Sequence, residues 1–313
     1  MNQKNSQLGA GHKTSFHHHH DTTIQPELSA QKAIETLFGP VDFVPVLDGQ
    51  IHREHLPEDS SGSRNLWYIG GLDGVASMTF GSWKTGERST WSARRPVSFL
   101  EGELLRMRAV SAMKTQAAHR EQIQAAGAMS ARQRWATASP ADTNHEYLSR
   151  KRVKPFGLRQ EGDLLLVPMV RDRLIYTLQS ISPTGSKRFQ KDAPKFGCYS
   201  PIGLIRTGEP IYICEGWATG ATLHQERGVT VACAMDCGNL MPVAKAIRSQ
   251  HPGNEIIIAG DDDRANPDNP GRRHAEAVAA SLKCEVEFPQ FSDDAPLSLS
   301  DFNDLYIWSV DHD

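Results

Sequence analysis

The chain of 313 residues is poor in cysteine and has no long apolar run, and each shortage excludes a class of protein. Its five cysteines include no CxxC pair and none precedes Cys198, so neither a disulfide framework nor a zinc ribbon is indicated. The longest apolar run, LLLVPMV at 164–170, contains a proline and is far shorter than the roughly 18 residues of a membrane span. The N-terminus is polar and lacks a hydrophobic signal region, so we expect a cytoplasmic protein with no membrane partner.

Charge is distributed unevenly along the chain. The formal net charge is -3, yet residues 150–195 carry eleven Lys or Arg against four Asp or Glu, and residues 255–313 carry four against fourteen. A basic segment followed by an acidic one suggests a surface that binds polyanions beside a pocket that gathers cations. Two solvated faces of different charge would give the same pattern, so the charge alone leaves both interpretations open.

Composition and residue periodicity divide the chain into five predicted segments. These are a disordered arm (1–25), a small α+β module (26–97), a helical linker (98–142), a basic mixed α/β subdomain (143–200) and a parallel sheet flanked by helices (201–313). Within the arm, His17–His20 could bind a metal, but a histidine tract on a polar tail is expected to be fortuitous. Apolar residues at three- and four-residue spacing, Leu100, Leu104, Met107, Val110, Met113 and Ala117, predict the linker helix.

The tryptophans of the small module allow two interpretations. Trp67, Trp83 and Trp91 lie in stretches that resemble strands separated by Gly and Asp-Gly turns. They could stack on nucleic-acid bases, or they could form the core of a small β-rich unit.

The last third of the sequence alternates predicted strands and helices, the pattern of a parallel sheet. The predicted strands are IYIC (211–214), VTVACA (229–234), EIIIAG (255–260) and CEVEFP (284–289), with loops MDCGNL (235–240) and DDDRANPDNPG (261–271) after the second and third. Loops at the carboxyl ends of parallel strands converge on one edge, where ligands bind. Glu215 and Asp261–Asp263 follow two such strand ends, so we expect them to face each other.

Carboxylates gathered at one edge repel each other unless their pKa values rise or a divalent cation lies between them. Alternation along an extended stretch predicts that Asp261 and Asp263 reach one ion while Asp262 points elsewhere. Oxygen-only donors suit Mg²⁺ or Mn²⁺, and Mg²⁺ keeps positions for phosphate oxygens, so the pattern indicates phosphoryl chemistry. The alternative is that the three aspartates cap the next helix or occupy a turn.

Three short motifs in this order resemble the Toprim domain shared by bacterial-type primases, topoisomerases and some nucleases. They are EGWATG (215–220), IAGDDDRA (258–265) and SDFNDL (300–305). The resemblance implies that Glu215 is the catalytic glutamate and that Asp261 and Asp263 are the metal-binding DxD pair. It also implies that Asp301 and Asp304 stand where a third acidic motif is found.

Upstream stretches narrow the resemblance to primases. PKFGCYSP (194–201) is similar to the Pro-Lys-Tyr stretch in the basic subdomain of DnaG-type primases, and YLSRKRVKPFGLR (147–159) and GSKRF (185–189) resemble Toprim primases of plasmids, phages and integrated elements. WYIGGLDG (67–74) and GSWKTGE (81–87) in the small module resemble the same group. The resemblance therefore covers the chain from about residue 30, and it implies a Toprim-like parallel sheet preceded by a basic primase-core subdomain.

This resemblance implies a DNA primase that makes short RNA primers on single-stranded DNA by metal-assisted nucleotidyl transfer. The expected catalytic residues are Glu215, Asp261 and Asp263; the expected metal ligands are these three and Asp304; and the expected contacts to template or triphosphate are Lys187, Arg188, Lys195, Arg152 and Arg264. The expected cofactor is Mg²⁺ or Mn²⁺, without zinc. Ribonucleoside triphosphates, template DNA and a replicative helicase or initiator are the expected partners. No GxxxxGK[ST] motif indicates a helicase within this chain.

Two other functions stay open. A Toprim nuclease would use similar carboxylates and metal to direct water at a phosphodiester, although the basic subdomain with its PKF element favours polymerisation. A non-catalytic single-stranded-DNA-binding replication accessory protein would use the basic segment and the tryptophans, and would not depend on Asp263. A type IA topoisomerase is disfavoured because the chain is too short for a gate and tyrosine domain.

Overall fold

The computed structural model describes residues 16–18 and 25–312, which form two compact units divided after residue 121. The predicted disordered arm lies outside the described residues except for 16–18 and 25, and His19 and His20 lie outside them as well. No helix within the described ranges is long and apolar enough to cross a membrane.

The first unit is built on a five-stranded sheet. Its elements are β1 (Phe16–His18), α1 (Pro26–Phe38), β2 (Asp48–Glu54), β3 (Leu66–Gly71), β4 (Ser77–Ser82), β5 (Arg88–Ser92) and the beginning of α2 (Phe99–Thr137). The strand order is β1-β5-β4-β3-β2, with β1 parallel to β5 and the other neighbours antiparallel. This is the small α+β module that the sequence predicts.

One face of this sheet forms an apolar core with α1. Ile34 of α1 packs with Tyr68 and Phe80, and Trp91 belongs to the same buried cluster. Trp67 and Trp91 are only 3% and 2% exposed, so they are core residues and cannot stack on bases in this structure. The Trp83 ring is covered instead by the Arg53 guanidinium, 4.0 Å from the ring centroid.

Helix α2 confirms the predicted linker helix, but it does not bury the stripe that predicts it. Leu100, Leu104, Met107 and Val110 are 68%, 48%, 61% and 58% exposed. Within the first unit, α2 buries Ala112 and Gln116 instead. Three- and four-residue spacing identifies a helix, but it cannot tell which face the rest of the unit covers.

The second unit begins with the remainder of α2, and an antiparallel sheet in the order β10-β9-β8-β7-β6 follows. Its elements are β6 (Ser139–Pro140), α3 (Glu146–Lys151), β7 (Arg159–Glu161), β8 (Leu164–Arg171), β9 (Leu174–Ile181) and β10 (Lys187–Phe189). Asp172 and Arg173 both have positive φ, 49° and 65°, the backbone of a tight hairpin turn that matches the twist of the flanking strands. This turn joins β8 to β9.

A mostly parallel sheet with helices follows in the order β11-β13-β12-β14-β15. Its elements are β11 (Ser200–Ile202), β12 (Ile211–Cys214), α4 (Trp217–Arg227), β13 (Thr230–Cys233), α5 (Cys237–Gln250), β14 (Ile256–Ala259), α6 (Pro270–Leu282), β15 (Glu285–Glu287) and α7 (Phe302–His312). β12–β15 are parallel, whereas β11 runs antiparallel to β13. The predicted fold class, a Toprim-like parallel sheet after a basic mixed α/β subdomain and a small α+β module, is confirmed.

The predicted loop at 235–240 is wrong in its second half, because α5 already begins at Cys237. The Asp236 side chain caps this helix by accepting a hydrogen bond from Gly238 N at 3.0 Å. Pro242 therefore lies inside α5 rather than at its start, where a proline is more common.

Helix α4 packs closely on the sheet because of a glycine. Gly220 lies directly on the sulfur atoms of Cys214 and Cys233, and a side chain there would collide with Cys233. The glycine of the EGWATG motif thus allows α4 to approach β12 and β13, just after Glu215.

Candidate active site

The parallel register brings the predicted acidic residues to one edge of the sheet. Cys214 at the end of β12 pairs with Cys233 of β13 and with Ala259 of β14. Glu215 is therefore the first residue beyond β12, and Asp261 stands two residues beyond β14 at the same edge. The carboxyl-end site expected from the sequence is where these residues meet.

Glu215 lies partly buried between acidic and basic neighbours. Burial raises the pKa of its carboxyl group, and the charges of Asp236 and Asp263 raise it further. Lys187 and His274 act in the opposite direction, which places positive charge near this carboxylate as well. The backbone is fixed by a 2.7 Å hydrogen bond from Met235 N to the Glu215 carbonyl oxygen.

Asp261 has a strongly perturbed carboxyl group. Burial raises its pKa to about 8, with further contributions from Asp301, Glu215, Asp263 and Asp304. Its Oδ1 atom is buried and has no hydrogen-bond partner among the described residues. A buried carboxylate oxygen without a donor is costly, so this atom calls for a positive ligand.

Asp262 and Asp263 accept hydrogen bonds from different partners. Asp262 accepts hydrogen bonds from Arg272 Nε at 3.0 Å and Asn269 Nδ2 at 2.7 Å, and Arg272 lowers its pKa. Asp263 Oδ2 accepts a 2.8 Å hydrogen bond from Gly271 N at the beginning of α6. The helix-capping alternative thus describes part of what Asp263 does, and Asp262 engages an arginine away from Asp261.

The beginning of α7 adds a second pair of acids. Asp301 Oδ2 accepts a hydrogen bond from Thr219 Oγ1 at 3.0 Å, and its Oδ1 accepts one from Asp304 N at 2.8 Å. Burial raises the pKa of Asp301, and the charge of Asp304 raises it further. Asp304, the predicted metal ligand, forms an ion pair with Lys151 at 3.3 Å. Both acids act electrostatically on Asp261.

These carboxylates form an electrostatic cluster without a closed ligand set. Within residues 25–312, no three His, Cys, Asp or Glu side chains are arranged to hold a metal ion. Even so, the donor chemistry fits a hard divalent cation, because the donors are carboxylate oxygens, the pKa values of Glu215 and Asp261 are raised, and Asp261 Oδ1 has no hydrogen-bond partner among the described residues. The residues present therefore suit Mg²⁺ or Mn²⁺.

Among the five predicted basic contacts, Lys187 lowers the pKa of Glu215. Lys187 and Arg188 are exposed on β10. Lys195 forms an ion pair with Asp236 at 2.6 Å, and Arg152 forms one with Asp311 at 2.5 Å.

Arg264, the fifth predicted contact, is tied to the loop that precedes α7. Its Nη2 atom donates a 2.8 Å hydrogen bond to the Pro296 carbonyl oxygen, and its guanidinium lies 4.1 Å from the Phe291 ring centroid. These contacts give Arg264 a structural role beside the acidic cluster.

Sequence reasoning missed several neighbours of the cluster. His274 is exposed on α6 and lowers the pKa of Glu215, Lys151 pairs with Asp304, and Thr219 binds Asp301. One signal was available for His274, since it follows by one helical turn the glycine that binds Asp263. Thr219 lies in the EGWATG motif and Lys151 in the stretch YLSRKRVKPFGLR, but only folding brings them to Asp301 and Asp304.

A small pocket opens beside Asp263. It has a volume of about 340 Å³ and is lined by Asp263, Ala265, Asn266, Leu297, Ser298 and Ser300. Gly216 leaves little room for a side chain, because an added Cβ would lie 3.2 Å from Thr219 Oγ1. A side chain there would press on the hydroxyl that binds Asp301.

Comparisons with known proteins agree with this geometry. The Toprim domain family matches residues 210–306. Two curated proteins of Escherichia coli, both named DNA primase TraC, are similar to this chain. The first is 32% identical over 260 residues, which cover 79% of this chain and 18% of the relative. The second is 30% identical over 276 residues, which cover 84% of this chain and 26% of the relative. The chain thus spans about a fifth to a quarter of the length of these relatives.

Two solved structures also show a likeness. The first is a complex of the bacteriophage T7 lagging-strand DNA polymerase with primase domains of two gp4 subunits bound to an RNA/DNA hybrid and dTTP, in which one chain matches with TM-score 0.38 and 15% identity over 56% of this chain and 87% of that chain. The second is the Aquifex aeolicus primase with its zinc-binding and RNA polymerase domains, with TM-score 0.39 and 11% identity over 92% of this chain and 83% of that chain.

Proposed function

The chain is a relative of the Toprim primases of the plasmid, phage and integrative-element group, with its Toprim domain at residues 210–306, and from this premise we propose that it is a DNA primase. It would synthesise short RNA primers on single-stranded DNA by nucleotidyl transfer. The observation that carries the proposal is the electrostatic cluster of Glu215, Asp261 and Asp263 at the carboxyl edge of the parallel sheet. The likeness to curated DNA primases over most of the chain supports polymerisation as its chemistry.

Primer synthesis joins the 3′-hydroxyl of one nucleotide to the α-phosphate of the next, releases pyrophosphate and frees the hydroxyl proton. A Mg²⁺ or Mn²⁺ ion held by Asp261 and Asp263, with Glu215 and Asp304 as further proposed ligands, would neutralise the triphosphate and the charge that develops during transfer. The raised pKa values of Glu215 and Asp261 support this assignment, because a cluster of mutually repelling acids favours a bound cation.

The chain's own groups supply binding and proton transfer. Glu215 lies beyond the end of β12, and its raised pKa suits a group that accepts the hydroxyl proton. Lys187 brings positive charge near this carboxylate, which supports it as a proposed phosphate contact. Arg188, Lys195, Arg152 and Arg264 remain proposed contacts to template or triphosphate, although the last three would first exchange their present partners.

The proposal extends to the setting of the reaction. Replication of a mobile element is the proposed role, a replicative helicase or initiator is a proposed partner, and the cytoplasm, where template and triphosphates are found, is the proposed location. Zinc is not part of the proposed chemistry.

A gel assay tests the proposal. The full chain would be incubated with single-stranded DNA, labelled ribonucleoside triphosphates and Mg²⁺ or Mn²⁺, beside Asp263→Asn and the control Asp268→Asn, which changes an exposed acid of the same loop. We expect short template-dependent products from the wild type and the control, and none from Asp263→Asn. Shortening of the DNA would favour a nuclease instead. Intact DNA bound equally by all three proteins, without products, would favour a non-catalytic binding protein.

A further inference from the structure

A cavity of about 1010 Å³ lies within the first unit, between the sheet and the first half of α2. Its walls are β3, β4 and β5 on one side and residues 102–115 on the other. The cavity is partly open to solvent, and its volume is close to the upper end of the range of ligand-binding clefts. We therefore treat the cavity as a binding volume.

The sheet wall of this cavity is rich in hydroxyl groups. The strand register aligns two rows across it, Gly71 with Ser77 and Ser92, and Ile69 with Thr79 and Thr90. The alternate residues, Tyr68, Phe80 and Trp91, belong to the apolar core that α1 covers on the opposite face. Thr90 Oγ1 is buried and lacks a hydrogen-bond partner within the described part of the unit. A hydroxyl removed from water normally has a partner, so this one is available to a ligand.

The helix wall is aliphatic, with cationic groups near it. Leu105, Ala109 and Met113 contribute apolar surface, and Arg108 lines the cavity while donating a 3.2 Å hydrogen bond to the Val75 carbonyl oxygen. Arg88 lines it from β5 and is exposed. The lining also includes Arg106, paired with Glu103 at 2.9 Å, and one acid, Asp73. Cations therefore outnumber acids along the cavity wall.

We propose that this cavity binds a segment of the single-stranded DNA template. The faces of a base would lie against the aliphatic wall, its polar edge would meet the hydroxyls, and the phosphates would lie near Arg88 and Arg108. The choice of nucleic acid as ligand rests on the proposed primase function and deepens it, since the first unit would then hold the template independently of the acidic site. Both Trp67 and Trp91 are buried in the core, so this site would use apolar contact and hydroxyls in place of tryptophan stacking.

Three substitutions probe the cavity without disturbing the acidic site. Gly71→Val would place a side chain in it, because Gly71 lines the cavity, an added Cβ there meets nothing within 4 Å, its φ is not positive, and valine favours strands. Thr90→Val removes the unpartnered hydroxyl and keeps nearly the same side-chain shape. It therefore still tests the cavity if Gly71→Val does not fold. Arg88→Ala removes the exposed cation, and Arg95→Ala is its matched control, an exposed arginine outside the cavity lining.

The experiment uses the full chain, fluorescein-labelled oligo(dT) of about eight residues and EDTA, so that no divalent cation takes part. Anisotropy gives Kd, and hydrogen–deuterium exchange locates the bound oligonucleotide. We expect slower exchange in residues 66–92 and 102–115, a Kd raised about tenfold or more by Gly71→Val, a smaller rise for Thr90→Val and Arg88→Ala, and wild-type affinity for Arg95→Ala.

Different results would refute the cavity as a DNA-binding site and the proposed primase function. Oligonucleotide binding without protection of residues 66–92, or unchanged affinity in Gly71→Val and Thr90→Val, would overturn the inference even if the wild type makes primers. Loss of binding in these variants would support the cavity site even if no primers are made. Protection of the cavity by ATP but not by the oligonucleotide would overturn DNA as its ligand.

Discussion

Replacing Asp261 by asparagine should stabilise the protein when no divalent cation is bound. Asp261 is buried among like charges with an unpartnered oxygen, and its pKa is raised from 3.8 to about 8. A carboxyl group whose pKa is raised in the folded state favours folding at low pH and opposes it as the pH rises above its unfolded value. Asparagine keeps the shape of the side chain and removes the charge, so it should remove this pH-dependent cost.

The size of the effect follows from the raised pKa. Each pKa unit is worth about 1.4 kcal/mol, and the loss begins where the pH exceeds the unfolded pKa of 3.8. Compared with an uncharged side chain, Asp261 therefore lowers the free energy of unfolding by on the order of 4 kcal/mol at pH 7 and by about 2 kcal/mol at pH 5. The stabilisation by Asp261→Asn in EDTA should therefore be larger at pH 7 than at pH 5. With a saturating divalent cation, the wild type should instead be more stable than Asp261→Asn, because only the ionised Asp261 carboxylate gains binding energy from the metal.

Urea unfolding in EDTA at both pH values, followed by circular dichroism, measures this difference. Asp262→Asn is the matched control, since its neighbour Arg272 lowers the pKa of Asp262 and the substitution removes a 3.0 Å ion pair. The two adjacent substitutions should therefore have opposite signs at pH 7, Asp261→Asn stabilising and Asp262→Asn destabilising. We argue that the buried Asp261 carboxylate destabilises the protein unless a cation is bound. If both substitutions destabilise the metal-free protein equally, this argument is refuted.

Three further substitutions test the surroundings of the cluster. Thr219→Val should lower the free energy of unfolding by roughly 1–3 kcal/mol in urea titrations, because it removes the donor to buried Asp301; unchanged stability would mean that this hydrogen bond contributes nothing. Gly271→Ala should cost about 1–3 kcal/mol, since its Cβ would lie 2.8 Å from the Asp261 carbonyl oxygen and Asp263 Oδ2; Gly253→Ala, with nothing within 4 Å, should be nearly neutral, and equal costs would contradict the packing argument. Lys187→Ala should raise the KM for nucleoside triphosphates about tenfold, and Lys191→Ala, another exposed lysine, should change it little; equal effects would point to general charge.

Patterns local in sequence predicted the parallel sheet well. The apolar run IYIC gave β12 with its observed bounds, and EIIIAG and VTVACA gave β14 and β13 with slightly long ends. Because neighbouring parallel strands end together, the strand pattern alone was enough to assign Glu215 and Asp261 to one edge. Strand ends and their acids are local features, which is why this part succeeded.

Features that depend on folding were predicted less well. The beginning of α5 was placed too late, because the predicted loop extends to residue 240, whereas the helix begins at Cys237 and is capped by the Asp236 side chain. The apolar stripe of α2 gave the helix but not its buried face. Lys195 and Arg152 carry the expected charge, but they meet acids that only the fold brings near.

Incorporation of a γ-³²P label tests the central claim most directly. A primase begins a chain without a primer, so its first nucleotide keeps its γ-phosphate, whereas extension of an existing strand releases that phosphate as pyrophosphate. We expect γ-labelled short chains only with single-stranded DNA and Mg²⁺ or Mn²⁺, and none from Asp261→Ala. Products that carry α-label but no γ-label, or γ-labelled products retained in Asp261→Ala, would contradict the assignment of primer initiation to the acidic edge of this sheet.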